Sequence, residues 1–554
     1  MRTRPGRPHE PWRSAAVSKW TPVIILGCAQ FVMVLDSTVM NVSISTVVTD
    51  LHTSVAAMQS AITFYTLTMA AAMLLGAKLG DVWGRRRALV IGAVVYSIGS
   101  LATGLAPNIV FLFLGWSVVE GLGAVLVIPA IAALIADNYT GRARVTAFAV
   151  IGAVSGAAVA AGPLIGGFLT TYLSWRYVFI GETVIMIVVL LLARFVADTS
   201  RPARVRIDAP SVVLSAAGLV LIVYGMLQSK TWGWILPAAP LQIGNVVIAP
   251  FGLSIVPFLI AAGVLLSWLF LRRQRHLSAT GRPALLDVSM FGIARLRAGL
   301  SVLGAQYAVI AGLFFMIPVY LQMTLGLDAL ETGVRIFPLS IALILFSAIG
   351  TVLTKYWSPR RIVRVGQLVL VASVLTLLAS VSTDLRTVPF AIGMFCGGAA
   401  LGLLASQLGN VNMSSVSEDR SSEVGGVQGV FQNLGSSLGT ALVGSILIAS
   451  LGSSFSAAVA ASDLPDQVKT AVHDQTQGGI AIIPTASVPR IAEQAGLSAA
   501  DGATLQSLYT HAQIGSLTTA LFALALIAAL SLFFSRHIPN TVLRGEAATA
   551  THGG

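Results

Sequence analysis

The stretch GAKLGDVWGRRR at residues 76–87 lies between two long apolar segments and sets the orientation of the chain. Its three consecutive guanidinium groups, on Arg85, Arg86 and Arg87, cannot enter hydrocarbon at low cost, so the stretch must lie at a membrane face. Positively charged loops are concentrated on the cytoplasmic side of membrane proteins. We therefore place this turn in the cytoplasm and count the membrane crossings outward from it.

The composition indicates a polytopic membrane protein. Of 554 residues, 56% are hydrophobic and only 10% are charged, whereas soluble proteins carry about 25% charged residues. The net charge of +12 can arise from cytoplasmic loops alone, so it does not require a nucleic-acid partner. A GxxxxGK[ST] phosphate loop is absent, which excludes an ATP-driven pump of that type. Arginine outnumbers lysine 29 to 5, which suggests a GC-rich bacterial genome.

A membrane span needs roughly 20 apolar residues, and fourteen such segments can be placed. They are 20–45, 57–77, 88–107, 109–135, 145–171, 177–197, 210–228, 251–271, 299–325, 333–354, 362–381, 388–411, 424–450 and 513–535. The cysteines Cys28 and Cys396 both fall in spans, as expected of buried small side chains rather than a disulfide framework.

The spans divide the chain into an all-α protein of six, two and six helices. The predicted parts are a cytoplasmic tail at 1–19, an N-terminal six-helix bundle at 20–197, two inserted helices with linkers at 198–298, a C-terminal six-helix bundle at 299–535 and a cytoplasmic tail at 536–554. The last bundle contains a long outer loop at 451–512, expected to be a surface cap, with a gate or partner-docking element as the alternative.

The distribution of charge supports this count. With the N-terminus inside, cytoplasmic segments carry 28 of the 34 Lys and Arg residues and outer segments carry six, so no cation lies mid-membrane. Such an asymmetry predicts that both termini are cytoplasmic.

Three motifs resemble signatures of one family, the major facilitator superfamily, and specifically its fourteen-helix drug:proton antiporter branch. LDSTVMN at 35–41 is similar to LDxTIVN, and the 76–87 turn is similar to GxLaDrxGrkr. The glycine-rich fifth span ends in GPLIGG at 162–167, like the antiporter motif GPxxGG, and WRY follows at 175–177, like SWRW. The resemblance implies two six-helix bundles related by a pseudo-two-fold axis, alternating access and multidrug efflux.

The 76–87 turn has physical features of its own. Its glycines permit a tight turn, Asp81 and Arg85 can pair at i, i+4 if the turn is helical, and Asp81 can cap a neighbouring helix. The resemblance implies that the turn latches the two halves in one conformation. Its gating residues are Gly76, Gly80, Asp81, Gly84, Arg85, Arg86 and Arg87. The counterpart near Lys355 lacks the acid and the glycines, so the latch is expected to be one-sided.

The fifth span should bend and pack closely. Pro163 has no N–H to donate to Val159, which predicts a bend, and small residues let a neighbouring helix approach. The antiporter-motif residues are Gly152, Gly156, Gly162, Pro163, Gly166 and Gly167. A similar glycine ladder in the span 424–450 indicates an internal repeat.

Only three of the 22 acidic residues lie inside spans, namely Asp36, Glu120 and Glu182. A charge at the bilayer centre costs about 2.5–3.5 kcal/mol or more, so such residues are functional by default. A carboxyl group removed from water binds a proton more readily, which is what a proton carrier needs. We predict that these three residues couple transport to protons, with no metal and no cofactor; the alternative for each is a hydrogen-bonded structural acid.

Glu120 is where the chain departs from the family pattern. The fourth helix of these antiporters usually carries RxxQG, and this chain has SVVEG at 117–121, so the arginine's role cannot be transferred. Ser117 and Glu120 are expected to face the same way at i, i+3. Glu182 is expected one to two turns below the outer surface, as a proton entry point or as an interfacial acid near Arg176.

Further residues are candidates for the substrate cavity. Ser37, Asn41 and Ser45 form a polar stripe, and Phe64 and Tyr65 can stack against flat cations. The predicted set is Asn41, Phe64, Tyr65, Ser117, Gln322, Gln407 and Asn410. Helix–helix contact is the alternative for Phe64, Tyr65, Gln322, Gln407 and Asn410.

The sequence thus predicts a proton-coupled exporter of amphipathic, cationic or neutral compounds in a bacterial plasma (inner) membrane. Its expected partners are the small-molecule substrate, protons and membrane lipids, and a monomer is expected. Export of a lipid or an endogenous metabolite is the first alternative, and a non-transporting membrane sensor is the second. An intramembrane hydrolase is disfavoured because Asp36 is the only intramembrane aspartate and HExxH is absent.

Overall fold

The computed structural model describes residues 19–139, 141–198, 207–237, 241–243, 246–248, 250–416, 421–476, 480 and 482–540. Nearly all of the two predicted tails, the linker arginines between 201 and 206, and Arg420 lie outside these ranges.

The predicted all-α fold is confirmed, and each predicted span corresponds to one long helix. In chain order these are α1 Thr21–Val42, α2 Val55–Trp83, α3 Arg85–Gly104, α4 Ile109–Asn138, α5 Gly141–Tyr172, α6 Arg176–Leu192, α7 Ala209–Trp232, α8 Val256–Ala279, α9 Ala294–Val319, α10 Ala329–Leu353, α11 Pro359–Ser380, α12 Thr387–Met413, α13 Ser421–Ala460 and α14 Ala499–Phe534. Within the described residues, thirteen helices are long and apolar enough to span a membrane, and the bent α5 makes the fourteenth.

Shorter elements connect some of these helices. A helix at Ile44–Asp50 follows α1, and two three-residue strands, β1 Leu241–Ile243 and β2 Val246–Ile248, pair antiparallel between α7 and α8. The helices Asp466–Thr476 and Val488–Gln494 lie in the outer connection between α13 and α14.

Helices occupy both ends of the predicted outer loop at 451–512. The 40 residues of α13 span about 60 Å at 1.5 Å per residue, twice the hydrocarbon thickness of about 30 Å. The helix α13 therefore continues beyond the membrane to Ala460, and α14 begins outside it, where Ser498 accepts a hydrogen bond from the Asp501 N–H and caps its first turn.

Glycines set the spacing of the N-terminal bundle. A Cβ added at Gly99 would lie 2.5 Å from the Glu120 nitrogen, and one at Gly123 would lie 2.7 Å from the Tyr96 Cα. Real Cβ atoms do not approach so closely, so α3 and α4 cross in contact only because these positions lack side chains. This close crossing brings Tyr96 on α3 beside the middle of α4.

The antiporter-motif residues of α5 pack against two different helices. Gly162 and Gly166 face Thr38 and Val39 on α1, and Gly167 would place a Cβ 2.6 Å from the Ala329 carbonyl oxygen on α10. The segments Val150–Val159 and Ala161–Tyr172 meet at 41°, close to Pro163, as the sequence predicts.

Contacts between the halves run along two helix pairs, α2 with α13 and α5 with α10. On the first pair, Gln59 Nε2 donates to the Thr440 carbonyl oxygen at 3.1 Å and Ser437 Oγ donates to the Thr63 carbonyl oxygen at 3.1 Å. On the second pair, the Leu330 N–H donates to Thr171 Oγ1 at 3.1 Å.

Gln322 closes the outer side between α1 and the turn after α9. Its Nε2 donates to the Val42 carbonyl oxygen at 2.6 Å, and its Oε1 accepts from the Ser45 N–H at 3.2 Å. Beside it, Thr485 of the outer connection donates to the Met323 carbonyl oxygen at 3.3 Å. We call the contact of Gln322 with Val42 and Ser45 the outer clamp.

The inserted helices α7 and α8 form a hairpin against the α2–α13 seam. Ser445 Oγ donates to the Met226 carbonyl oxygen at 3.0 Å, which fixes α7 to α13. At the predicted cytoplasmic end, Arg273 binds Asp208 through Nε at 2.7 Å and Nη2 at 2.8 Å. This bidentate contact holds the pKa of the Asp208 carboxyl well below its usual range.

The packing of α3 on α4 predicts opposite outcomes for two glycine substitutions. Gly123→Ala should lower the melting temperature of the purified protein, because forcing a methyl group into a filled contact costs about 1–3 kcal/mol. Gly152→Ala is the matched control, since open space surrounds that position and alanine favours the helix by about 1 kcal/mol. Thermal unfolding in detergent would measure both, and equal melting temperatures would contradict the close crossing.

Candidate functional site

The three membrane acids meet in the interior of the N-terminal bundle. Asp36 comes from α1, Glu120 from α4 and Glu182 from α6, and one carboxylate oxygen of each lies within 4.8 Å of the other two. Their exposed fractions are 1%, 0% and 1%. We call these three residues the carboxyl cluster. The sequence identified its members one by one, and the structure brings them together.

Asp36 is held by a tryptophan. Trp116 Nε1 donates to Asp36 Oδ1 at 2.9 Å and to Oδ2 at 3.2 Å. The Trp116 ring stacks on Tyr65 with ring centroids 4.9 Å apart and planes 12° apart. The indole is therefore fixed in orientation, and its N–H supplies the Asp36 carboxylate with a donor away from water.

Glu182 Oε2 lies beside two hydroxyl groups, both on α3. Tyr96 Oη donates to Glu182 Oε2 at 2.9 Å, and Ser100 Oγ lies 3.4 Å from the same oxygen. Glu182 Oε1 has no hydrogen-bond partner among the described residues. Arg176 pairs instead with Asp50 and donates to the Ala106 carbonyl oxygen at 2.9 Å. The interfacial alternative for Glu182 is therefore wrong, because Arg176 lies at the helix end and Glu182 points inward.

Glu120 differs from the other two acids in its hydrogen bonds. Within the described part of the chain, neither of its carboxylate oxygens has a partner with hydrogen-bond geometry, and both are buried. An ionised carboxylate without donors or a cation is costly in such a place, whereas a neutral carboxylic acid needs only an acceptor for its O–H. Glu182 Oε1, itself unpartnered, is such an acceptor in the same cluster.

The backbone of α4 departs from α-helical geometry where it enters the cluster. Residues Phe113–Glu120 form a π-helix, which holds more residues per turn than an α-helix. Residues at i, i+3 therefore no longer share a face, and the expectation that Ser117 and Glu120 point the same way is wrong. Ser117 Oγ instead donates to the Ala61 carbonyl oxygen on α2 at 2.8 Å. The wider turn is what points both Trp116 and Glu120 at α1 and α6.

Electrostatics limits the charge that the carboxyl cluster can carry. Two like charges about 5 Å apart repel by about 3 kcal/mol even at an effective dielectric constant of 20. The ion pairs found among the described residues involve Arg85, Arg176 and Arg273, and none includes a cluster carboxylate. The cluster must therefore share protons or bind a cation, and its three oxygens are close enough to bind one cation together.

Two aromatic residues predicted for the substrate cavity pack against other rings. The ring centroid of Phe64 lies 5.2 Å from that of Phe113 and 6.4 Å from that of Tyr224 on the inserted helix α7. Phe64 therefore packs on the outside of the bundle. Tyr65 is buried against Trp116. Neither ring is open to a cavity in this structure, because Tyr224 of the inserted hairpin packs on Phe64 and Trp116 packs on Tyr65. Their role in substrate binding stays a prediction. Ser117 is excluded from the cavity for the reason given above.

Two of the remaining polar candidates hold helices together, and two others do not. Gln322 forms the outer clamp, and Gln407 Nε2 donates to the Gly350 carbonyl oxygen at 3.2 Å, so both hold helices together. Asn410 is exposed on α12. On α1, Asn41 Nδ2 donates to the Ser37 carbonyl oxygen at 2.9 Å, its Oδ1 is unpartnered among the described residues, and Ser37 is exposed. Asn41 and Asn410 are thus the candidates that can still face a substrate.

The 76–87 turn consists of two helices joined at Gly84, whose φ is +94°. This break prevents the expected i, i+4 pair of Asp81 and Arg85. Arg85 Nη1 instead donates to Asp137 Oδ1 at the end of α4, at 2.6 Å. A Cβ at Gly76 would collide with the backbone of Val125 on α4. The turn therefore holds α2, α3 and α4 together, and a latch between the halves stays a prediction.

Sequence reasoning missed the donors Trp116, Tyr96 and Ser100. Tyr96 and Ser100 are four residues apart on the third span, and Trp116 is four residues before Glu120. Polar groups at helical spacing on apolar spans were the available signal.

Comparisons with known proteins agree with this architecture. The sequence pattern of the Major Facilitator Superfamily matches residues 26–440. The puromycin resistance protein pur8 of Streptomyces alboniger is 32% identical over 393 residues, covering 69% of this chain and 73% of that protein. The tetracenomycin C resistance and export protein of Streptomyces glaucescens is 26% identical over 496 residues, covering 87% and 86%.

Solved structures support the same fold. A bacterial homolog of the human lysosomal transporter Spinster, in an inward-facing and unoccupied conformation, aligns with a TM-score of 0.56 at 16% identity, over 94% of this chain and 97% of that chain. The D-xylose-proton symporter aligns with a TM-score of 0.53 at 13% identity, over 77% and 90%. Taken with the fourteen helices and the matching sequence pattern, these comparisons show that the chain belongs to the major facilitator superfamily.

Proposed function

We propose that this protein is a proton-coupled exporter of amphipathic small molecules, with the carboxyl cluster as its proton-binding site. The observation that carries the proposal is the meeting of Asp36, Glu120 and Glu182 at one buried point. The named relatives are resistance and export proteins, which supports export as the direction of transport.

The hydrogen bonds favour Glu120 as the residue that holds the exchangeable proton. Asp36 and Glu182 each receive at least one side-chain donor and fit as carboxylates. Among the described residues Glu120 receives none with hydrogen-bond geometry, and it fits as a neutral acid whose O–H can donate to Glu182 Oε1. Loss of that proton would leave three adjacent negative charges, so deprotonation must accompany binding of a cation or a change in helix packing.

Helix α1 connects the cluster with the outer clamp. Val42, which accepts the hydrogen bond of Gln322, is six residues from Asp36, or about 9 Å along the helix. The exposed Ser37 adjoins Asp36 in sequence. Asp36 is therefore one residue from the exposed Ser37 and about two helical turns from the outer clamp. We infer that α1 transmits a change of protonation at Asp36 to the outer clamp.

The chemistry of the site favours neutral or cationic substrates. Three acids lie in the membrane region, and none of the 34 Lys and Arg residues needs to lie there. A membrane potential supplies about 2.3 kcal/mol per charge per 100 mV, so one or two protons per cycle suffice for a useful gradient. The excess of Lys and Arg in one set of loops supports an inner membrane with both termini in the cytoplasm.

Export of a lipid or a metabolite is the second candidate. The names of the two relatives refer to puromycin and tetracenomycin C, which are small molecules rather than lipids. They support the first candidate, and substrate screens with both classes of compound would separate the two.

Substituting Glu120 tests the proton assignment. Glu120→Gln removes the exchangeable proton and keeps the shape of the side chain, so we expect substrate-induced proton release from purified protein and pH-driven uptake into proteoliposomes both to be lost. Glu493→Gln, at an exposed acid of the outer connection, is the matched control and should behave like the wild type. Wild-type proton release by Glu120→Gln would contradict the assignment. Transport driven by Na⁺ or Ca²⁺ instead of protons would also contradict it.

Substituting Gln322 tests the outer clamp. Gln322→Leu removes two hydrogen bonds between the halves, worth about 0.5–1.5 kcal/mol each, so the outward-open population should rise about fivefold or more. Distances between spin labels on the outer ends of α1 and α10 would measure this shift. Gln407→Leu, which removes a hydrogen bond within the second half, should leave the distances unchanged. Equal populations in both variants would show that the clamp does not close the outer side.

A further inference from the structure

A basic groove lies on the cytoplasmic side, away from the carboxyl cluster. It is formed by the turn between α10 and α11 and by the segment that follows α14, and its volume is about 420 Å³. The residues that matter here are Tyr356, Trp357, Arg360, Arg361, Arg364 and Asn540. We call it the 356–364 groove.

Within the part of the chain that the structure describes, its positive charge has no acidic counterpart. The three arginines form no ion pair with any described residue, since the ion pairs found there belong to Arg85, Arg176 and Arg273. No Asp or Glu occurs at 355–366 or at 535–540, the two segments that build the groove. Three guanidinium groups that converge on one concave surface without a counter-ion favour an anionic ligand.

The chain holds these side chains in place. Arg360 Nε donates to the Ile538 carbonyl oxygen at 2.7 Å, and Arg364 Nε lies 3.3 Å from Ser535 Oγ. Arg361 lies over the Trp357 ring, with its guanidinium carbon 4.4 Å from the ring centroid. The first two contacts use only the Nε–H groups, so the terminal nitrogens of Arg360 and Arg364 have donors to offer a ligand.

The backbone also joins the two sides of the groove. The Arg360 N–H donates to the Pro539 carbonyl oxygen at 3.1 Å, and Ser358 Oγ donates to Asn540 Oδ1 at 2.9 Å. The groove is thus a formed surface between two cytoplasmic segments, and a ligand that bridges its arginines would strengthen the junction.

Apolar surface next to the groove indicates what kind of anion would bind. Tyr356 is 73% exposed, and aromatic side chains at this level are typical of the membrane–water interface. Val352 on α10, Leu368 on α11 and Phe533 on α14 are also exposed and continue into the membrane region. A phosphate in the groove would therefore have room for attached acyl chains along these helices.

We propose that the 356–364 groove binds the phosphodiester headgroup of an anionic phospholipid from the inner leaflet. Guanidinium groups match the paired oxygens of a phosphate, and the exposed apolar residues accept its acyl chains. The shared chemistry is that of a phosphate anion, and free phosphate is the alternative source.

The test compares thermal stabilisation of the purified full-length protein by phosphatidylglycerol, phosphatidylcholine and inorganic phosphate. We expect phosphatidylglycerol alone to raise the melting temperature of the wild type. In Arg361→Gln/Arg364→Gln the affinity for phosphatidylglycerol should fall about 30-fold, because each arginine contributes roughly 1 kcal/mol to the binding of an anionic lipid. Arg275→Gln/Arg282→Gln removes two exposed cytoplasmic arginines outside the groove and should bind like the wild type.

Three results would overturn the proposal. They are equal stabilisation of both double variants by phosphatidylglycerol, stabilisation by phosphatidylcholine as strong as by phosphatidylglycerol, and stabilisation by inorganic phosphate alone. A second measurement avoids dependence on the folding of the double variant. Brominated phosphatidylglycerol should quench tryptophan fluorescence more in the wild type than in Trp357→Phe, and equal quenching would place the lipid elsewhere.

Discussion

The cost of burying negative charge is the constraint on which the N-terminal bundle depends. Three carboxyl groups from α1, α4 and α6 meet away from water. Two of them receive side-chain donors, while the oxygens of Glu120 have no partner with hydrogen-bond geometry among the described residues. The surrounding structure follows from this requirement. Gly99 and Gly123 let α3 approach α4 so that Tyr96 can reach Glu182, and the π-helix turns Trp116 toward Asp36. The same arrangement supports the proposed binding of protons at the cluster.

Much of the fold could be predicted from the sequence. The lengths of the hydrophobic segments and the positions of Lys and Arg between them determine where the chain crosses a membrane. The three acids could also be found singly, since charge is rare in such spans. Asp36 and Glu182 lie at similar depth, because Asp36 is six residues before the end of α1 and Glu182 is six residues after the start of α6. Glu120 is eleven residues after the start of α4, so the meeting of all three depends on helix packing that the sequence does not give.

Other features depend on tertiary packing and were predicted wrongly. With α-helical spacing Ser117 and Glu120 would point to the same side, but in the π-helix their side chains point in different directions. The spacing of Asp81 and Arg85 suited a pair, but the positive φ of Gly84 breaks the helix and Asp137 becomes the partner of Arg85. Phe64 was placed toward a cavity because the position of the inserted hairpin on α2 cannot be read from hydrophobicity.

Infrared difference spectroscopy of the purified protein tests the central claim most directly, because protonated carboxyl groups have a carbonyl band separate from that of carboxylates. With Glu120 as a shared neutral acid, the wild type at neutral pH should show such a band, the band should weaken on substrate binding, and it should be lost in Glu120→Gln. A wild-type spectrum without that band, or one that Glu120→Gln leaves unchanged, would contradict the proton-sharing cluster.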